Sequence, residues 1–166
     1  MPPDAMSNTP SAPIVDLERL VEVLSRHAVD YVLVGGGAAA AYGATRPTQD
    51  SDCLALRTDA NLRRLAAAMR ELNARLRVEG LSDEESAALP LPIDETTLAA
   101  MEISTWTTDV GWFDVLANLP DRRGHRLTFE DVSRTSVVLH VGKSAVNVAS
   151  LDVIIASKEW ANRPKD

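Results

Sequence analysis

The chain has 166 residues, 45% hydrophobic and 25% charged, the composition of one ordinary globular domain rather than a disordered chain. Its net charge of −7 argues against a generic polyanion-binding surface. No apolar run approaches the roughly 20 residues of a bilayer span, the first residues lack a signal peptide's basic and apolar segments, and the single cysteine, Cys53, excludes an internal disulfide and fits a reducing cytoplasm.

Residues 1–12, rich in proline and polar residues, predict a disordered tail before one domain over 13–166. Leu17, Leu20, Val21 and Leu24 recur at helical spacing behind a capping Asp16. The run DYVLV at 30–34 predicts a short buried strand, and 36–43 a helix of small residues ended by Gly43. Residues 51–56 predict a second strand. Thr58 or Asp59 then caps a helix through NLRRLAAAMRELNARL, 61–76. The acidic, proline-bearing segment that follows predicts a surface excursion with a short helix near 94–101. Residues 103–120 predict two strands around a turn at Asp109–Gly111. Thr128 and Asp131 have the spacing of a capping box, residues 136–150 predict two strands around Gly142-Lys143, and Ser150 caps a last helix. The order is that of a mixed α/β (α+β) domain: a mixed sheet with flanking helices, in which hairpins interrupt βαβ alternation.

Two features of this frame bear on chemistry. Gly35, Gly36 and Gly37 stand between a strand and a helix. Glycines there make a tight turn, or they bring backbone N–H groups and a helix start against a phosphate. Neither the P-loop ending nor the GxGxxG spacing is present. Asp50 and Asp52 enter the second strand on one face, about 6.6 Å apart at Cα. With 24 acids in the chain, roughly three acid-x-acid pairs are expected by chance, and only this one lies in an apolar strand. Two carboxylates so placed repel unless a cation separates them, and oxygen ligands favour Mg²⁺ or Mn²⁺. Asp114 interrupts another apolar strand, where an unpaired charge is costly. It either sits on a half-exposed face or joins the other two in the composition of a two-metal phosphoryl-transfer site.

Six arginines fall between Arg57 and Arg77. Arg63, Arg70 and Arg77, seven apart, are expected to share one helix face, either a solvated face or a patch for RNA. His27, His125 and His140 have no metal-ligand spacing. Trp106 and Trp112 read as sheet packing, and Cys53 as core.

The stretch Gly35-Gly36, Gly43, Arg46-x-Thr48-x-Asp50-x-Asp52 resembles the signature of the nucleotidyltransferase (polymerase β-like) superfamily, in its minimal bacterial form. The resemblance implies the nucleotidyltransferase fold, with Asp114 as third carboxylate. The C-terminal Lys158-Glu159-Trp160-Ala161 and Arg163-Pro164-Lys165-Asp166 resemble the motif of AbiEii/MenT-type nucleotidyltransferase toxins.

The resemblance further implies Mg²⁺ (or Mn²⁺) held by Asp50, Asp52 and Asp114. It implies an NTP, ATP included, bound at Gly35, Gly36, Arg46, Thr48, Lys158 and Asp166, with Lys158 also catalytic. The acceptor would be the 3′ end of tRNA, and a cognate antitoxin the partner. A protein side chain, a small molecule such as an aminoglycoside, or an inactive fold serving as a regulatory subunit are the alternatives. Without the resemblance, Lys158 reads as a solvated cation favoured by the helix dipole, and Arg46 as a phosphate clamp or a loop-carbonyl partner.

Overall fold

The structure, a computed structural model, describes residues 14–162; the expected tail over 1–12 and Asp166 lie outside them. Helix α1, Leu17–Arg26, starts where the Asp16 side chain accepts from the Arg19 N–H at 3.1 Å, and buries Leu20, Val21, Val23 and Leu24. It stops at Ala28, whose φ of 54° no helix continues. Strand β1, Tyr31–Val34, is buried at all four positions, which explains its unbroken apolar run. Helix α2, Gly35–Ala41, follows without a linker, and β2, Asp50–Ala55, returns antiparallel to β1.

Helix α3, Asp59–Glu71, is capped by Thr58, whose hydroxyl accepts from the Asn61 N–H. Asn61 is fully buried. Its amide accepts from the Asp30 N–H at 2.7 Å and donates to the carbonyls of Asp30 and Leu56, both at 2.8 Å, joining α3 to the start of β1 and the end of β2.

The helix expected over 61–76 ends five residues early. Asn73 takes a φ of 52°, and β3, Arg75–Leu76, pairs antiparallel with β4, Ile103–Thr108. The acidic excursion holds α4, Asp83–Ala87, under a capping box of Ser82 and Glu85 that the sequence reading missed, and α5, Glu95–Ala99, capped by Asp94. Arg57 closes the far end of α5 by donating to the carbonyls of Leu98, Ala99 and Met101.

After the turn at 109–110 comes β5, Gly111–Leu116. A small ribbon, β6 (Leu119–Pro120) and β7 (Arg126–Leu127), was also unforeseen. Helix α6, Phe129–Ser133, carries the expected Thr128–Asp131 capping box. The described residues close with the hairpin β8, Val137–Val141, and β9, Ser144–Val148, and with α7, Leu151–Ala161, capped by Ser150.

Seven strands form one mixed sheet in the order β3-β4-β5-β2-β1-β9-β8. Strand β2 runs antiparallel to β1 but parallel to β5. One continuous core joins α1, α3 and the sheet. Among the described residues no helix is long and apolar enough to cross a membrane.

Candidate active site

Strand periodicity places Asp50 and Asp52 on one face of β2, and Ser51 and Cys53, both fully buried, on the other. On β5, Phe113 and Val115 are buried while Trp112 and Asp114 are half-exposed. The parallel register sets Asp52 opposite Asp114 and Asp50 opposite Trp112. Three carboxylates therefore converge: Asp50, Asp52 and Asp114 each offer an oxygen, and these oxygens lie within 4.8 Å of one another.

The glycines are explained from the same strand. Gly35 has a φ of 64°, a left-handed conformation, and a Cβ there would collide with Asp52 Oδ2. A Cβ on Gly36 would lie 2.6 Å from Thr48 Oγ1. The start of α2 thus rests directly on the side chains of Asp52 and Thr48. Val34, at the N-cap of α2, has no side-chain cap to offer, so the first-turn N–H groups are left to other acceptors. Thr48 donates to the Asp50 carbonyl at 2.7 Å, with Asp50 Oδ1 3.3 Å away, and so steadies the exposed carboxylate.

Electrostatics set the three carboxyls against one another. Burial, then the charges of Asp114 and Asp50, push the Asp52 carboxyl up to about 8. Burial also raises Asp114, against the opposing pull of Thr105, Asp52 and Arg77. Buried oxygens of Asp52 and Asp114 (Oδ1 of each) have no hydrogen-bond partner, an arrangement that is costly without a cation. An all-carboxylate donor set of this size suits a hard divalent ion.

No family model matches the chain, and no curated protein matches it. Among solved structures, the chain is similar to one described as a "putative nucleotidyltransferase" from Thermotoga maritima. The TM-score is 0.51 at 13% identity, over 84% of this chain and 78% of that one. The chain shares the fold of that protein. The expected mixed α/β architecture is therefore present, and the three carboxylates meet on one face of its sheet.

Other expected site residues are placed as follows. Gly35, Gly36 and Thr48 border the carboxylates. Arg46 is exposed in the loop before β2 and, among the described residues, makes no hydrogen bond or ion pair. Lys158 is exposed in the last turn of α7, which packs against α2 and β6. The sequence reading anchors that helix by Leu151, Ile154 and Ile155. Only Ile154 is buried; Leu151 and Ile155 are exposed. Ala156 takes their place, and at the far end the Trp160 ring lies on Gly124 while Arg122 pairs with Glu159 at 2.7 Å.

The three arginines seven apart do not share a helix face. Arg63 pairs with Glu95 at 3.2 Å, and Arg70 donates to the Ile93 carbonyl, so both hold the excursion. Arg77 lies beyond the end of α3, its guanidinium 3.6 Å from the centroid of the Trp112 ring. Trp106 packs the sheet as expected, fully buried with its indole donating to Ser104. Trp112 lies half-exposed on the carboxylate face, and no local pattern joins it to Arg77. Tyr42 was also missed: its hydroxyl donates to the Ala149 carbonyl at 2.8 Å, tying the end of α2 to the start of α7.

Proposed function

We propose that this protein is a metal-dependent nucleotidyltransferase that moves a nucleoside monophosphate from an NTP to an acceptor hydroxyl. The observation that carries the reading is the meeting of Asp50, Asp52 and Asp114, two with unpartnered buried oxygens, against the glycine-bearing start of α2. Asp50, Asp52 and Asp114 would hold Mg²⁺ or Mn²⁺, which supplies Lewis-acid neutralisation of a triphosphate for in-line displacement. Gly35 and Gly36 let the start of α2 close on Asp52 and Thr48, which would set its first-turn N–H groups beside the carboxylates for phosphate oxygens to reach. Asp114 orients the acceptor hydroxyl. The acceptor hydroxyl gives up its proton to solvent as its oxygen bonds to the α-phosphorus, the bond from that phosphorus to the bridging oxygen breaks, and pyrophosphate leaves with that oxygen. Arg46 and Lys158 stabilise the charge that develops on the phosphates.

The signature over residues 35–52 and the Lys158 motif support a finer reading, in which the chain is a toxin of the AbiEii/MenT type. Its acceptor is then the 3′ end of tRNA, its partner a cognate antitoxin, and its compartment the cytoplasm. Incubation of the purified protein with total RNA and each α-³²P-labelled NTP tests both levels. The expected result is EDTA-sensitive label on tRNA from one preferred NTP, ATP among the candidates. Label on protein or on a small molecule would move the acceptor, and no metal-dependent label on anything would end the enzymatic reading.

A further inference from the structure

Arg77 has a setting unlike that of most arginines in this chain. Arg26, Arg63, Arg122 and Arg126 are each paired with a carboxylate, and Arg57 is spent on carbonyls. Arg77 is exposed, and among the described residues no acceptor takes its guanidinium N–H groups. It is nevertheless held. Its backbone N–H donates to the Thr105 carbonyl at 2.8 Å, and its guanidinium lies 3.6 Å from the centroid of the Trp112 ring. Such a contact fixes the cation while leaving its planar donor fork available, the geometry that suits a phosphate.

Its position relative to the carboxylates follows from the strand order. Thr105 is registered with Asp114, and Trp112 with Asp50. Helix α2 packs on β1 and β2, on one flank of the carboxylates. Arg77 and Trp112, on the β3-β4-β5 side, flank them from the other. In a protein of net charge −7, a restrained cation beside three carboxylates offers an anionic substrate group a foothold that the carboxylates would otherwise repel.

We infer that Arg77, braced on Trp112, is the contact for a backbone phosphate of a nucleic-acid acceptor, on the side of the carboxylates opposite α2. The inference rests on the nucleotidyltransferase reading and adds to it a residue that holds the acceptor and the acceptor's side of entry. The guanidinium edge takes the phosphodiester next to the terminal nucleotide, which leaves the terminal hydroxyl to reach Asp114.

The test is binding of a fluorescein-labelled 12-nucleotide RNA with a free 3′ hydroxyl, followed by anisotropy with Mg²⁺ and no NTP. A second RNA carries an uncharged methylphosphonate at its last linkage. Arg77→Ala is expected to weaken binding on the order of 10-fold, the scale of one charge-assisted hydrogen bond. Arg77→Lys restores charge without the fork and recovers only part of it. The methylphosphonate is expected to weaken binding to the natural protein by a similar factor, and to add nothing to Arg77→Ala. Equal methylphosphonate penalties in both proteins would overturn the inference, as would no RNA binding by the natural protein. A saturable Mg²⁺ site lost in Asp52→Asn, measured separately by calorimetry, would survive either outcome and keep the enzymatic reading distinct.

Discussion

Asp52 is the residue on which the account turns. Its carboxyl is raised to about 8 by burial and by its two acidic neighbours, far above an unfolded value near 4. A carboxyl raised on folding binds more protons folded than unfolded between those values, so stability falls as pH rises through that window. In EDTA the natural protein should therefore lose thermal stability from pH 5 to pH 8. Asp52→Asn, which cannot ionise, should lose distinctly less, and Mg²⁺ should restore the natural protein most at the high end. Parallel melting curves for the two proteins would contradict the assignment. Gly35→Ala tests the other side of the contact. It costs about 1–2 kcal/mol for a left-handed alanine and drives a methyl into Asp52, so Mg²⁺ affinity by calorimetry should fall much further than Tm. An unchanged Mg²⁺ affinity would separate α2 from the metal site.

At the scale of elements, caps were the legible part. Asp16, Thr58, Thr128 and Ser150 each begin a helix, because a side-chain acceptor for exposed N–H groups is a local requirement. The end of α3 was not legible. Leu72 and Leu76 continue a helical spacing, and only the left-handed turn at Asn73 and the pairing of β3 with β4, about thirty residues on, break it. The two-residue strands were hidden for the same reason, being too short to show a period. Asn61 shows what a buried polar group does between elements. Asn61→Ala leaves the Asp30 N–H and the carbonyls of Asp30 and Leu56 without this partner. It should cost about 1–3 kcal/mol in urea unfolding, the scale of one polar group left unsatisfied; a loss well below about 1 kcal/mol would mean that water replaces the amide. For α7, Lys158→Ala should lower single-turnover transfer by about 10²-fold at saturating NTP, the scale of one preorganised contact to the transition state. A rate near that of the natural protein would reduce α7 to a structural helix.

For the whole molecule, the local signature places two of the three carboxylates, but the sheet brings them to the third. Asp52 and Asp114 are 62 positions apart in sequence and meet because β5 pairs parallel to β2 in a register that no single segment encodes. A one-residue slip would turn Asp114 to the opposite face. The Arg77–Trp112 contact is likewise a product of topology, which is why arginine spacing alone grouped Arg77 with the wrong partners. The central claim, nucleotidyl transfer at the three carboxylates, is tested most directly by comparing α-³²P- and γ-³²P-labelled NTP with RNA, using the natural protein and Asp52→Asn. The account predicts α-label joined to the RNA, γ-label released as pyrophosphate, and neither event in Asp52→Asn. Transfer of the γ-label to RNA, or undiminished α-label transfer by Asp52→Asn, would contradict it.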